Sequence, residues 1–490
     1  MKINYHQLSI RQLHELLKTK ILTPDQLTKL VYKRLEQFKK LNAVVTSLEQ
    51  NAIKQTKLIT EQEINDNLLA AIPFVMKDNI ATINFLTTGS SKILANFIPN
   101  YDSTVNMLLT NNKAINIAKT ALDELGMGGD GLYAATGHVL NPWNLKHITG
   151  GSSSGSATLV AAGIVPFALG TDTGDSIRKP AAYCGIVGFK PTYGLISRNG
   201  VFPYAPSLDT VGIFTNHVED IAIVLDSIAL FDEQDFTSVQ SKEKDYTKNL
   251  NQNIEGKNIA ILNYNDYQWN DIVKSSFNEA IKHLTDGGAK VQQIEFNKEL
   301  LQSLLPVYMI ISFAEATSCH ANLTGINFGV RKNGKNYQEV MTNSRTFGFG
   351  DMVKRRYIIG AYALSENHQE ELFNKAKKVR RLIVEHLNTI FKKYDAFIIM
   401  PNINPAPKIK DVLEQKKVIK SEHDYLEDLL LLSNLNGGPS INIPLTTVNG
   451  LPIGFNINGA PFNDQVILNI ASFLSKKINF NNKLLGDDHE

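Results

Sequence analysis

Two cysteines in 490 residues, Cys184 and Cys319, are too few for a disulfide framework. No Cys-x-x-Cys pair is present for zinc or redox chemistry. Long apolar runs are also missing, and no stretch approaches the ~18 residues that would read as a membrane span. The opening MKINYHQLSIRQLHELLKTK has neither a continuous apolar stretch nor a small-residue cleavage site. It does not read as a secretory signal, so a cytoplasmic location with no membrane attachment is expected. An excess of one charge is lacking as well. Lys and Arg number 50 against 48 Asp and Glu, a net charge of +2. That balance excludes a polybasic surface as the organising feature. What remains is ordinary globular composition, 43% apolar and 20% charged, which excludes a mostly disordered chain.

Residues 8–60 read as helices. Leu13, Leu16 and Leu17 have helical spacing, and Thr23-Pro24-Asp25 is an N-cap with proline at the first helical position. This suggests a helical arm over residues 1–62 packed on a main domain over 63–490. Within that domain, residues 298–390 read as a largely helical insertion, and polar residues 235–256 as a surface linker. Strands are expected at Ala71–Met76, Ala114–Ala118, Ile259–Leu262 and Ala396–Met400. Two more, around Ile441–Pro444 and Gly454–Ile457, are joined through the turn pair Asn449-Gly450. The segment Ala121–Leu125 looks more helical than strand-like.

Two Gly/Ser loops carry the chemistry. Residues 149–156 read Thr-Gly-Gly-Ser-Ser-Ser-Gly-Ser, and residues 170–180 read Gly-Thr-Asp-Thr-Gly-Asp-Ser-Ile-Arg-Lys-Pro. The apolar stretch Ala157–Leu169 lies between them, so both loops can return to one place. Neither ends in Gly-Lys-Ser/Thr, which argues against a phosphate loop. A Gly-x-Gly-x-x-Gly at Gly126, Gly128 and Gly131 follows no strand-like run, which argues against a dinucleotide site. Nucleophilic catalysis needs a hydroxyl, a proton acceptor and oxyanion donors. Gly151-Ser152-Ser153-Ser154-Gly155 fits Gly-x-Ser-x-Gly by letter. However, loop-like sequence precedes it, and His138 and His147 come before the serine, against the hydrolase order. A buried neutral lysine can serve as the base instead, and Lys77 closes an apolar strand.

GGSSSGSATLVAAGIVPFALGTDTGDSIRKPAAYCGIVGFKPTYG (150–194) resembles the signature of the amidase signature family. FGFGDMVKRRYIIGAYALS (347–365), Ser312–Ala316, DLLLLSNLNGGPSINIP (428–444) and Asn449–Gly454 are similar to one branch of it. That branch comprises the A subunits of glutamyl-tRNA(Gln) amidotransferase, and the resemblance runs over nearly the whole chain. It implies an α/β amidase signature fold, a central mixed β-sheet covered by helices on both faces. It implies a Ser-Ser-Lys triad of Ser176 as nucleophile, Ser152 as bridging serine after a cis peptide, and Lys77 as base. The oxyanion hole would be built from Thr173, Gly174, Asp175 and Ser176. Asp172 and Arg178 would brace the nucleophile loop as an ion pair, with Asp78 and Asp209 in supporting positions.

The resemblance also implies glutamine as substrate. Arg355 or Arg356 would meet its carboxylate and Asp428 its ammonium. The two arginines lie ~100° apart on a helix, so one of them is expected to face the pocket. No metal site or cofactor is expected in this chain; ATP and Mg belong to a partner. The implied partners are a B subunit, which would carry most contact with Glu-tRNA(Gln), and a small C subunit. Some positions depart from the family. Asp175 and Ser154 stand where glycine is usual, Lys179 where glutamine is usual, and Asp130 where a hydroxyl residue is usual. The Asp175 carboxylate either points away, toward Lys179, or weakens the amidase by facing the oxyanion. Two alternatives to a glutaminase subunit follow: a free-standing amidase on another amide, and a non-catalytic assembly subunit.

Overall fold

Among the described residues of this computed structural model, eleven strands form one mixed sheet, its inner strands rich in β-branched and aromatic residues. Residues 4–241, 243, 245–264, 269–414, 424–478 and 480 are described. In chain order the strands are β1 (Val44–Ser47), β2 (Pro73–Lys77), β3 (Ile115–Thr120), β4 (Phe167–Asp172), β5 (Val187–Lys190) and β6 (Thr210–Thr215). The others are β7 (Asn258–Leu262), β8 (Lys290–Ile294), β9 (Ala396–Ile399), β10 (Ser440–Val448) and β11 (Leu451–Asn458). Across the sheet they run β1-β3-β2-β4-β6-β5-β10-β11-β9-β7-β8. β2 lies parallel between β3 and β4. The centre, from β4 through β6, β5, β10 and β11 to β9, is antiparallel. β9, β7 and β8 are again parallel.

β2, β3 and β4 are buried along their whole length. That is the signature of strands covered on both faces, and it goes with the apolar runs Pro73–Met76 in β2 and Phe167–Leu169 in β4. Phe74 and Phe167 stack between β2 and β4 with centroids 5.2 Å apart. Each such burial stabilises the fold by about 1.5–3 kcal/mol. Helix Ser154–Ala161 is buried at every residue, which is why Ala157–Leu169 is apolar without a helical stripe. It is followed directly by β4, so the two Gly/Ser loops flank one helix–strand unit.

The N-terminal segment is helical at Ile10–Lys18, Pro24–Gln37, Glu49–Thr56 and Glu61–Asp66. Thr23 closes a capping box with Gln26, and Pro24 opens the second helix, as its sequence requires. The reading of 8–60 as helices throughout is corrected at Val44–Ser47. That stretch is the edge strand β1, antiparallel to β3, and its backbone enters after Asn42 at φ 53°. Residues 4–62 therefore contribute a strand to the sheet as well as helices packed on it. Ala121–Leu125 is likewise not helical in the expected sense. β3 ends at Thr120, and a 3-10 turn over Glu124–Gly126 follows with Leu125 at φ 53°. The polar stretch 235–256 includes a one-turn helix, Tyr246–Asn249. Helices do fill most of 298–390, the longest being Leu304–Cys319, Asp351–Leu364 and Lys375–Phe391. Asn449 and Gly450, both at positive φ, turn β10 into β11. Among the described residues, no helix is long and apolar enough to cross a membrane.

Candidate active site

The parallel strands β2, β3 and β4 end on the same side of the sheet. Lys77 is level with Thr120, and Met76 with Leu169, so Lys77 emerges one residue from Thr171. Such carboxyl ends of neighbouring parallel strands are where α/β sheets leave room for a ligand. Lys77 is fully buried. Its Nζ lies 2.8 Å from Ser152 Oγ, 2.8 Å from Thr171 Oγ1 and 3.3 Å from the Thr171 carbonyl. Burial pushes the ammonium down to about 7, although Asp123, Asp172, Asp209 and Asp175 pull the other way. Near neutral pH much of this lysine is therefore an uncharged amine.

Ser152 follows a cis Gly151–Ser152 peptide, and its carbonyl accepts from the Asp123 amide at 3.1 Å. A Cβ on Gly151 would lie 2.1 Å from Asp123 Oδ2, so the residue before this serine has to be glycine. Asp123 in turn accepts the amides of Asp130, Gly131 and Tyr133 at 3.0–3.2 Å. Ser153 ties the second loop to the first: its hydroxyl donates to the Thr171 carbonyl at 2.9 Å, and its amide to the Ser176 carbonyl at 3.3 Å.

Ser176 is 3% exposed, and its hydroxyl has no hydrogen-bond partner among the described residues. The amides of Gly174, Asp175 and Ser176 likewise donate to nothing among those residues. Three unused N–H groups beside a free hydroxyl make a site for a developing negative oxygen. The loop that offers them is braced from below. Arg178, fully buried, donates to both oxygens of Asp172 at 3.0 and 3.1 Å, to the Gly174 carbonyl at 2.7 Å and to Asn434 Oδ1 at 2.6 Å. With Arg178 beside it, the Asp172 carboxyl stays below its usual range in spite of its burial. Thr173 Oγ1 donates to Asp209 at 2.6 Å, and Asp209 also accepts the Tyr204 and Ala205 amides. Asp78 accepts from Thr88 and faces the buried Lys119 at 3.7 Å, one step away from the site.

The two arginines separate cleanly. Arg355 is on the exposed face of its helix, while Arg356 turns inward. Arg356 Nη1 donates to Tyr204 Oη at 2.9 Å, and the guanidinium lies 4.9 Å from the Phe313 ring centroid. Its Nε is buried and has no partner among the described residues. Asp428 is half-buried at the end of the 3-10 turn Asp424–Asp428, two residues before Leu430, whose carbonyl accepts from Arg178. Asp175 Oδ2 points toward Lys179, 3.7 Å away. Sequence reasoning missed the supporting roles of Thr171, Tyr204, Tyr308 and Asp123. Thr171 was legible only as part of a Gly/Thr loop. Tyr308 Cε2 would lie 2.8 Å from a Cβ on Gly174, a contact that no local pattern signals. Among the described residues, no group of three or more His, Cys, Asp or Glu side chains is arranged to hold a metal ion.

A family model described as Amidase matches residues 26–468. The A subunit of glutamyl-tRNA(Gln) amidotransferase from Mycoplasma pneumoniae is 41% identical, over 88% of this chain and 90% of that protein. Its counterpart from Halothermothrix orenii is 38% identical over 98% of each. The crystal structure of the Thermotoga maritima counterpart superposes with a TM-score of 0.80 at 32% identity, covering 98% of this chain and 97% of that one. The native peptide amidase of Stenotrophomonas maltophilia shares the fold at 23% identity, with a TM-score of 0.80 over 97% of this chain and 98% of that one.

Proposed function

The chain belongs to the amidase family, and on that premise we propose that it is the glutamine-hydrolysing subunit of a tRNA-dependent amidotransferase. The observation that carries the proposal is the fully buried Lys77 amine 2.8 Å from Ser152 Oγ. Depressed to about 7, this amine accepts a proton at neutral pH. Ser152 passes it that proton and takes one from Ser176. The Ser176 oxygen then attacks the carboxamide carbon of glutamine. The amides of residues 173–176 hold the tetrahedral oxyanion. Ammonia departs with the proton returned along the same hydroxyl relay, which leaves an acyl-enzyme on Ser176. Water, activated by the same amine, releases glutamate.

Arg356, with its free Nε, suits the substrate carboxylate, and Asp428 suits the ammonium. Relatives at 38–41% identity, each named as one lettered component of an amidotransferase, support assembly with further subunits. In this reading, a B subunit uses ATP and Mg to activate the glutamate of Glu-tRNA(Gln) and consumes the ammonia. A small C subunit joins the two, and the complex works in the cytoplasm. The test is ammonia release from glutamine by the purified complex, compared with Ser176→Ala. Release that depends on Ser176 and rises with Glu-tRNA(Gln) supports the proposal. Hydrolysis of unrelated amides by the chain alone, with no glutamine turnover, refutes it.

A further inference from the structure

A carboxylate stands directly before the nucleophile. Asp175 belongs to the loop whose amides face the developing oxyanion, and a negative charge there opposes the reaction. The fold brings this side chain to a lysine. Its Oδ2 lies 3.7 Å from Lys179 Nζ, and the two side chains are 24% and 27% exposed. The Lys179 amide donates to the Asp175 carbonyl at 2.8 Å, so the backbone fixes the one-turn spacing. From the other side, a Cβ on Gly129 would sit only 3.6 Å from Lys179 Nζ, and Asp130 follows. The neighbouring cation, Arg178, is already committed to Asp172, the Gly174 and Leu430 carbonyls, Ser433 and Asn434. Among the described residues, Lys179 is the cation ion-paired with the Asp175 carboxylate. Asp130, Tyr183 and Glu427 also face Lys179, and Asp172 and Arg178 act on Asp175. Burial raises the Asp175 carboxyl to about 6 while Lys179 holds it down, so it stays mostly ionised at neutral pH.

We propose that Lys179 is a positioning residue: it holds the Asp175 carboxylate away from the oxyanion-binding amides, so that a charged residue can precede the nucleophile without opposing the reaction. The inference rests on the assignment of Ser176 as nucleophile. It makes Asp175 and Lys179 a coupled pair, in which loss of the lysine is harmful only while the aspartate remains.

The test uses the full chain, in the complex with which it purifies, as parent, Lys179→Gln, Lys179→Arg, Asp175→Asn and the double variant Asp175→Asn/Lys179→Gln. Two rates are read. One is glutamine hydrolysis. The other is labelling of Ser176 by a fluorophosphonate, in which the Oγ–P bond forms, fluoride leaves, and the Ser176 proton passes to Lys77. Lys179→Gln is expected to slow both by ~10–100-fold, in kcat rather than KM. Adding Asp175→Asn is expected to restore both to within ~3-fold of the parent, and Lys179→Arg to keep them. A fully active Lys179→Gln, or a loss that Asp175→Asn does not relieve, overturns the inference. So does a chain whose Ser176 is labelled in no variant, or only once Asp175 is replaced. Labelling that follows the expected order without glutamine turnover supports the inference and refutes glutamine as the substrate.

Discussion

Replacing Lys77 by methionine should make the protein more stable while abolishing its activity. In the unfolded chain this amine titrates near 10.5, and in the folded protein near 7. The difference, 10.5 − 7 ≈ 3.5, corresponds to about 4 kcal/mol of lost stability at pH 7, where about half the folded molecules carry the proton. Between pH 7 and 10.5 the unfolded chain binds more protons than the folded one, so stability rises with pH across that window. The loss is complete below pH 7 and gone above 10.5. Methionine is one atom shorter and carries no charge, and it gives up the 2.8 Å contacts with Ser152 and Thr171. Each of those hydrogen bonds is worth about 1 kcal/mol. The net gain for Lys77→Met is therefore about 2 kcal/mol at pH 7. At pH 9 the burial term has shrunk to about 2 kcal/mol, so the gain should disappear. Equilibrium urea unfolding of parent and variant at both pH values measures it. A variant less stable than the parent at pH 7, or a difference that does not move with pH, would refute the reasoning.

Arg356→Ala should raise KM for glutamine by ~10–100-fold, whereas Arg355→Ala should stay within about 2-fold of the parent; steady-state kinetics on both would separate an inward from an outward arginine. Arg178→Met strands the buried Asp172 carboxylate and should cost about 3–5 kcal/mol in thermal or urea unfolding. Ser152→Ala should keep the melting temperature within a few degrees of the parent while lowering kcat by ~10³-fold or more, because it removes the hydroxyl bonded to the Lys77 amine.

Strands buried on both faces were legible, because continuous apolar runs such as Phe74-Val75-Met76 and Phe397-Ile398-Ile399 have few other readings. The Asn449-Gly450 hairpin and the Thr23-Pro24 helix start were legible from turn and cap chemistry alone. The edge strands were not. β1 is a four-residue strand with an exposed end, and β8, Lys-Val-Gln-Gln-Ile, presents mostly polar side chains to solvent. Neither has the apolar run that would mark a strand, and both are held by pairing with a distant segment. At the site, the Gly/Ser loops and Lys77 stood out because their residue types are chemically unusual for their surroundings. The choice between Arg355 and Arg356 depends on helix rotation, which Tyr204 and Phe313 set from far along the chain. Asp123 lies in a segment whose sequence looks helical, and its three amide contacts exist only because β3 ends before it.

The chemistry turns on Lys77 titrating near neutral pH, so that a large share of it is an uncharged amine. Titrating its side chain by NMR in ¹⁵N-lysine-labelled Ser176→Ala protein, with Lys77→Met supplying the assignment, tests this without any substrate. The expected result is a single transition near pH 7, whereas an amine that stays protonated to pH 9 or above would contradict the account.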